Sequence, residues 1–170
     1  GVTELHIVGG LHPSLPLSYY IDMLKALKSL DAKLHLKCFT AVEILHLGRL
    51  TKKSPEEILG ELRDAGLDSL TGGGAEIFSS KIREQIAKGK ETAEEWADIH
   101  RAWHRMGGRS TCTMLFGHVE NLTDRVDHLR RLRTLQDETG GFTGFIPLPY
   151  HPENNAVPVD HPPTGFDILR

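Results

Sequence analysis

Short apolar runs alternate along this chain with longer stretches in which apolar residues recur three and four positions apart. Glu4–Val8 (ELHIV) reads as a strand closed by Gly9-Gly10. Tyr20, Leu24, Leu27 and Leu30 then mark the inner stripe of a helix. Leu34–Phe39 (LHLKCF) alternates as a half-buried strand does, and Ala41–Leu47 reads as a short helix. Ser54-Pro55-Glu56-Glu57 sets a cap, a first-turn proline and a capping-box glutamate ahead of Ile58, Leu59 and Leu62, and Gly66 stops that helix. Leu67–Leu70 is a brief strand running into Thr71-Gly72-Gly73-Gly74. Thr92 and Glu95 form a second capping box, before a helix striped by Trp96, Ile99 and Trp103 that ends at Met106-Gly107-Gly108. Ser110–Phe116 (STCTMLF) is the next strand. Thr123 caps a helix over Asp124–Glu138 that stops at Gly140-Gly141. Phe142–Leu148 is the last strand, before a polar, proline-rich loop over Pro149–Pro163.

Strands alternating with helices of this length imply an α/β fold, a parallel sheet with right-handed crossovers. Five strands suit an open doubly wound sheet, or part of a closed barrel, which needs eight strands and typically about 250 residues. Periodicity alone leaves both open. Residue placement favours the barrel, because each strand's C-terminal end carries Gly, His, Glu or Thr, and barrel enzymes assemble their sites there. No linker interrupts the pattern, so residues 1–170 read as one domain.

Composition removes several function classes. A net charge of −3 over 170 residues leaves no broad basic face for nucleic acid. The basic run Arg125–Arg133 carries Val126, Leu129 and Leu132 at helical spacing, so it reads as a solvated helix face. No run of 18 apolar residues is present to span a membrane, and no secretory leader opens the sequence. Cys38 and Cys112 stand far apart, as reduced cytosolic thiols buried beside strands would, so the expected location is cytoplasmic. With no initiator Met and a strand starting almost at once, the chain is expected to begin upstream of Gly1.

Two readings stand for most of the strand-end residues. Gly9-Gly10 is either a tight turn or a place where backbone approaches a ligand. Three successive glycines at Gly72–Gly74 exceed what a turn needs and point to close approach of an anionic or planar ligand. No GxGxxG or GxxxxGK[ST] accompanies them to make that ligand a nucleotide phosphate. Glu43, Glu76 and Glu120 are ligand-facing carboxylates or helix N-terminal caps. His12, His118 and His151 sit where a site should be, and each is either a site residue or an ordinary loop histidine. His100 and His104 are one turn apart, a chelating spacing, but Arg101 replaces the zincin glutamate and their helix is an outer one. They are expected on a partly exposed helix face. His6 and His35, inside strands, are expected as core histidines.

Taken together, HIVGGLHP, FTAVEI, LTGGGAEIF, TMLFGHVE, LQDETGG and FIPLPYHPENN resemble one family through almost the whole chain. It is the radical S-adenosylmethionine (SAM) group that contains the futalosine-pathway enzymes of menaquinone biosynthesis and those making the deazaflavin FO. HPENN after FIPL fits the members that make aminofutalosine better than their cyclic dehypoxanthinyl futalosine sisters. Thr71 and Cys112 depart from the pattern, which has proline and alanine there. The resemblance implies a TIM-type barrel, here partial, covering about strands two to six and truncated at both ends. It also implies a [4Fe–4S] cluster on a CxxxCxxC loop. No such triad occurs in this sequence, and the family pattern places it upstream of Gly1.

The implied reaction begins when the reduced cluster cleaves S-adenosylmethionine to methionine and a 5′-deoxyadenosyl radical. That radical adds to 3-[(1-carboxyvinyl)oxy]benzoate, and rearrangement with loss of carboxylate gives aminofutalosine. The resemblance implies cofactor contacts at Gly9, Gly10, Thr40, Glu43, Leu115, Gly117 and Ile146. Strand-end position leaves Gly72, Gly73, Gly74 and Asn154 to face a small-molecule substrate, with Glu76 and His151 as the catalytic candidates. A flavodoxin or ferredoxin is the expected electron donor, with neither nucleic acid nor membrane as partner. Two readings of other classes remain: a metal-dependent barrel hydrolase and a non-catalytic barrel piece.

Overall fold

A computed structural model describes residues 1–169. Five strands, β1 (Glu4–Ile7), β2 (His35–Cys38), β3 (Ser69–Leu70), β4 (Arg109–Phe116) and β5 (Phe142–Pro149), form one sheet in the order of the sequence. Every neighbouring pair is parallel. A doubly wound sheet reverses its strand order part-way, and this one does not. Sequential order with crossovers of one hand places the crossover helices on one face, and the sheet curls into half of a barrel.

Among the described residues seven helices occur: α1 (Leu17–Leu30), α2 (Ala41–Thr51), α3 (Pro55–Asp64), α4 (Ser80–Ile86), α5 (Ala93–Arg105), α6 (Leu122–Thr139) and α7 (Gly165–Leu169). Capping boxes set four of their starts, at Thr40 with Glu43, Ser54 with Glu57, Thr92 with Glu95, and Asn121 with Asp124. Leu36, Cys38, Leu70 and Cys112 point to the helices and pack with Leu24, Ile44, Leu59, Trp96 and Trp103. Both indole N–H groups are satisfied inside that core, Trp96 by the Gly73 carbonyl at 3.1 Å and Trp103 by the Arg109 carbonyl at 2.7 Å.

Several expectations shift. The last long helix begins at Leu122, because the Asn121 side chain accepts from the Thr123 and Asp124 amides at 2.8 and 3.1 Å and takes the capping role given to Thr123. Its buried stripe is His128, Leu132 and Leu135, while Val126 and Leu129 are exposed. Leu30, expected on the inner stripe of α1, is exposed as well. The short α4 was not foreseen, nor was α7, which buries none of its residues.

The histidines exchange places. His100 and His104 are buried rather than on an exposed face. Ser110 Oγ lies between them, 2.9 Å from His100 Nδ1 and 2.7 Å from His104 Nε2. Burial pushes His100 down to about 3 and His104 to about 4, so both are neutral. His6 is exposed and His35 half-buried, both on the strand face turned away from the helices, where His35 Nε2 meets Ser69 Oγ at 2.8 Å.

Candidate functional site

The loops leaving the five strands gather at one end of the half-barrel, and hydrogen bonds between loops fix them. Glu43, at the third position of α2, is buried. Its Oε1 accepts from the Gly9 amide at 2.9 Å, and its Oε2 accepts from the Thr40 amide and hydroxyl at 2.8 Å each. Both oxygens are thus engaged, and Glu43 is a brace between the β1 and β2 loops as well as a capping-box residue. Gly9 and Gly10 are exposed, and a side chain on Gly10 would meet nothing within 4 Å. Packing therefore does not demand glycine there, and the backbone lies open. A cleft of about 550 Å³ adjoins it, lined by Ile7, His12, Tyr20, Phe39 and Glu43 among others. His12 caps its own turn, its Nδ1 accepting from the Ser14 and Leu15 amides at 3.3 and 3.2 Å.

The glycine run after β3 has reasons within the fold. Gly72 is buried, its amide donating to Thr111 Oγ1 at 3.1 Å and its carbonyl accepting from Thr113 Oγ1 at 2.7 Å. A Cβ there would lie 2.7 Å from the Cys112 Cα. On Gly73 it would press on the Thr40 side chain at 2.9 Å, and on Gly74, at φ +87°, it would strike Glu91 Oε1. Close approach is thus real, but what approaches is the protein's own backbone and side chains. Gly73 and Gly74 remain part-exposed. Glu76 follows at φ +44°, its carboxylate 2.9 Å from Lys90 Nζ and its carbonyl accepting the Leu115 amide at 2.7 Å.

After β4, Gly117 turns at φ +83°, and its amide donates to Glu120 Oε1 at 2.6 Å. The Glu120 side chain is wholly buried, taking also the His118 amide at 2.9 Å and Arg125 Nε at 2.7 Å. Burial pushes this carboxyl up, but the Gly117 amide and the neighbouring charges outweigh it and hold it below the usual range. His118 donates from Nε2 to the Leu115 carbonyl at 3.1 Å and sets Nδ1 3.0 Å from Glu120 Oε2, off the line of a good hydrogen bond. Glu120 and His118 therefore build the turn. Leu115 is half-buried and Ile146, in register with Thr113, is exposed, both on the face away from the helices. Beyond β5, His151 and Asn154 are exposed. Asn154 sits at φ +60°, a conformation that favours asparagine with no ligand involved.

The structure therefore links the ends of the first four strands in series by hydrogen bonds, Gly9 to Glu43, Thr71 to Phe39, and Gly72 and Glu76 to β4, and leaves His151 and Asn154 exposed beyond β5. Sequence reasoning missed Thr111 and Thr113, whose hydroxyls clamp Gly72, and Arg83 on α4. Alternate threonines in β4 were the available signal for the first two.

Residues 1–132 match the family model of the radical SAM superfamily. The chain belongs to that superfamily. It is 45% identical over 174 aligned residues to an aminodeoxyfutalosine synthase of Thermus thermophilus, covering 100% of this chain and 47% of the relative. A second aminodeoxyfutalosine synthase, from Streptomyces coelicolor, is 54% identical over 149 residues, covering 88% of this chain and 38% of the relative. The cyclic dehypoxanthine futalosine synthase of the same organism is 40% identical over 170 residues, covering 100% of this chain and 43% of that protein. The chain thus spans less than half the length of these relatives.

Radical SAM enzymes use S-adenosylmethionine and a [4Fe–4S] cluster, and the residues here fit the two unequally. The two cysteines, Cys38 and Cys112, are buried in β2 and β4 with thiols pushed up to about 11 by burial. They are the two cysteines of the sequence and sit apart on separate strands, so these 170 residues do not supply the cluster's ligands. Open backbone at Gly9 and Gly10, with apolar surface at Leu115 and Ile146, does fit a methionyl group and an adenine ring. Among the described residues no group of three His, Cys, Asp or Glu side chains is gathered to hold a metal ion, and no helix is long and apolar enough to cross a membrane.

Proposed function

We propose that this chain is the second to sixth strand units of an aminofutalosine-forming radical SAM synthase, acting on 3-[(1-carboxyvinyl)oxy]benzoate. One observation carries the choice within the superfamily: identity to the two aminodeoxyfutalosine synthases is higher than to the cyclic dehypoxanthine futalosine synthase. The FIPL and HPENN residues point the same way. When bound, S-adenosylmethionine with its cluster supplies the 5′-deoxyadenosyl radical, and the protein's share is to bind, orient and exclude water.

In this reading Gly9 and Gly10 receive the methionyl end. Glu43 holds Gly9 from behind, and Thr40 is fixed beside it as the cap of α2. Leu115 and Ile146 flank the adenine, and the bend at Gly117 keeps the following loop clear of it. Gly73, Gly74, Glu76, His151 and Asn154 face the substrate, whereas buried Gly72 acts by setting the loop's path. The mixed polar and apolar ring suits a small aromatic acid. An electron donor such as a flavodoxin or ferredoxin delivers to the cluster, which lies on residues outside this chain.

The test offers the full-length protein both futalosine-pathway substrates together, with S-adenosylmethionine and reductant. Consumption of the enolpyruvyl benzoate alone is expected. Consumption of dehypoxanthinyl futalosine alone would move the chain to the sister activity.

A further inference from the structure

Glu76, whose carboxylate pairs with Lys90 rather than bracing a turn, lies in a segment whose main chain is held from outside by a single guanidinium. Arg83 lies on α4, and only 7% of its side chain is exposed. Its Nη1 donates to the Ala75 carbonyl at 2.7 Å and to those of Gly74 and Ile77 at 3.3 Å. Its Nη2 donates to Gly74 at 3.3 Å and to the Glu91 carbonyl. One planar group therefore grips the residues on both sides of Glu76 and the residue directly after Lys90. Those two side chains are the ones that pair at 2.9 Å.

Glu91 completes the arrangement. Its side chain is 1% exposed, and neither carboxylate oxygen finds a hydrogen bond among the described residues. At 3.8 Å from Arg83 Nη2 it acts as a counter-charge rather than a bonded partner, and it fills the space beside Gly74. Burial pushes its carboxyl up and the guanidinium down, the mutual cost of keeping both from water. Buried pairs of this kind seldom add net stability over an apolar packing. Directing one buried arginine at four carbonyls of two loops makes sense as control of loop geometry, above all at Glu76, whose left-handed backbone must be imposed.

We propose that Arg83 is a positioning residue of the synthase site. By gripping the main chain on either side, it fixes the Glu76–Lys90 pair at the strand ends, where the Lys90 ammonium meets an anionic group of the substrate. Lys90 is 46% exposed along its side chain, and Glu76 occupies one of its three donors. The substrate part of this inference rests on the proposed function, and the loop part does not.

The experiment compares Arg83→Lys and the isosteric Glu91→Gln with the unsubstituted full-length protein, in two arms. In the first, amide exchange over residues 73–78 should rise on the order of 10-fold in Arg83→Lys, with α3 unchanged. In the second, the fraction of cleaved S-adenosylmethionine recovered as nucleoside adduct should fall about 10- to 100-fold. Affinity for S-adenosylmethionine should stay within about twofold. Glu91→Gln should shift both readouts the same way by less, and it decides alone if Arg83→Lys does not fold. Unchanged exchange overturns the positioning role. So does a loss of adduct that only tracks the amount of folded enzyme, with the coupled fraction constant. If the unsubstituted protein makes no adduct at all, the proposed function fails, and the exchange arm by itself upholds or overturns the role of Arg83.

Discussion

The Glu43 carboxylate accepts the Gly9 amide at 2.9 Å, joining the end of β1 to the start of α2 across 34 residues of sequence. With its other oxygen on Thr40, one side chain sets two of the loops on which the cofactor reading depends.

Glu43→Gln replaces one acceptor oxygen with an NH2 that opposes an N–H. It should cost about 1–3 kcal/mol of stability. It should also weaken S-adenosylmethionine binding, because Gly9 loses its anchor. Urea denaturation alongside cofactor titration checks both. Unchanged affinity would separate the brace from the binding site.

Two glycines give opposite expectations. Gly72→Ala drives a methyl group to 2.7 Å from the Cys112 backbone, which cannot move without opening the sheet. The expected loss is about 2–4 kcal/mol. Gly10→Ala meets open space and should change stability by less than about 0.5 kcal/mol. Chemical denaturation of the two variants checks the contrast.

That contrast shows what the sequence disclosed and what it withheld. Helix starts at Ser54 and Thr92 were readable because a capping box is complete within four residues. The barrel-type order was readable from the strand ends. The reason for Gly72 was hidden because its partners, Thr111 and Thr113, lie 39 and 41 residues away. The burial of His100 and His104 was hidden in the same way. Imidazoles on a helix read as polar until a distant hydroxyl, here Ser110, is known to satisfy them. Glu43 took the cap that was one of the two readings of a carboxylate at a helix start, whereas Glu120 closes the turn at Gly117 and His118 and leaves the cap of α6 to Asn121.

Acid should destabilise the fold early. His100, His104 and His128 are pushed down by burial to about 3, 4 and 4. Unfolded, they titrate near 6.5, so below that pH the unfolded chain binds more protons than the folded one. The stability their neutral forms confer is present above about pH 6.5 and is lost as pH falls toward 4. At full effect the slope is about 4 kcal/mol per pH unit for three histidines. Denaturation midpoints measured from pH 7.5 to 4.5 check this. A flat profile across pH 6.5 to 5 would contradict it.

Cofactor and substrate roles should separate between Gly10 and His151. Gly10→Val puts a branched side chain where backbone meets the methionyl end, and should weaken S-adenosylmethionine binding severely while the strand still forms. His151→Ala should leave that binding nearly intact and lower adduct formation by about 10- to 1,000-fold, if it polarises or anchors a substrate carboxylate. Cofactor titration and single-turnover yield check the division. An His151→Ala variant with unchanged yield would return His151 to an ordinary exposed loop residue.

The most direct test follows the adenine. The full-length protein, with its cluster reconstituted under anaerobic conditions, is given reductant, 3-[(1-carboxyvinyl)oxy]benzoate and S-adenosylmethionine labelled in the adenine ring. The products are resolved by mass spectrometry. Labelled adenine should appear in a nucleoside adduct that also carries the benzoate, with little free 5′-deoxyadenosine. Label recovered only as free 5′-deoxyadenosine, with the benzoate untouched, would contradict the assignment.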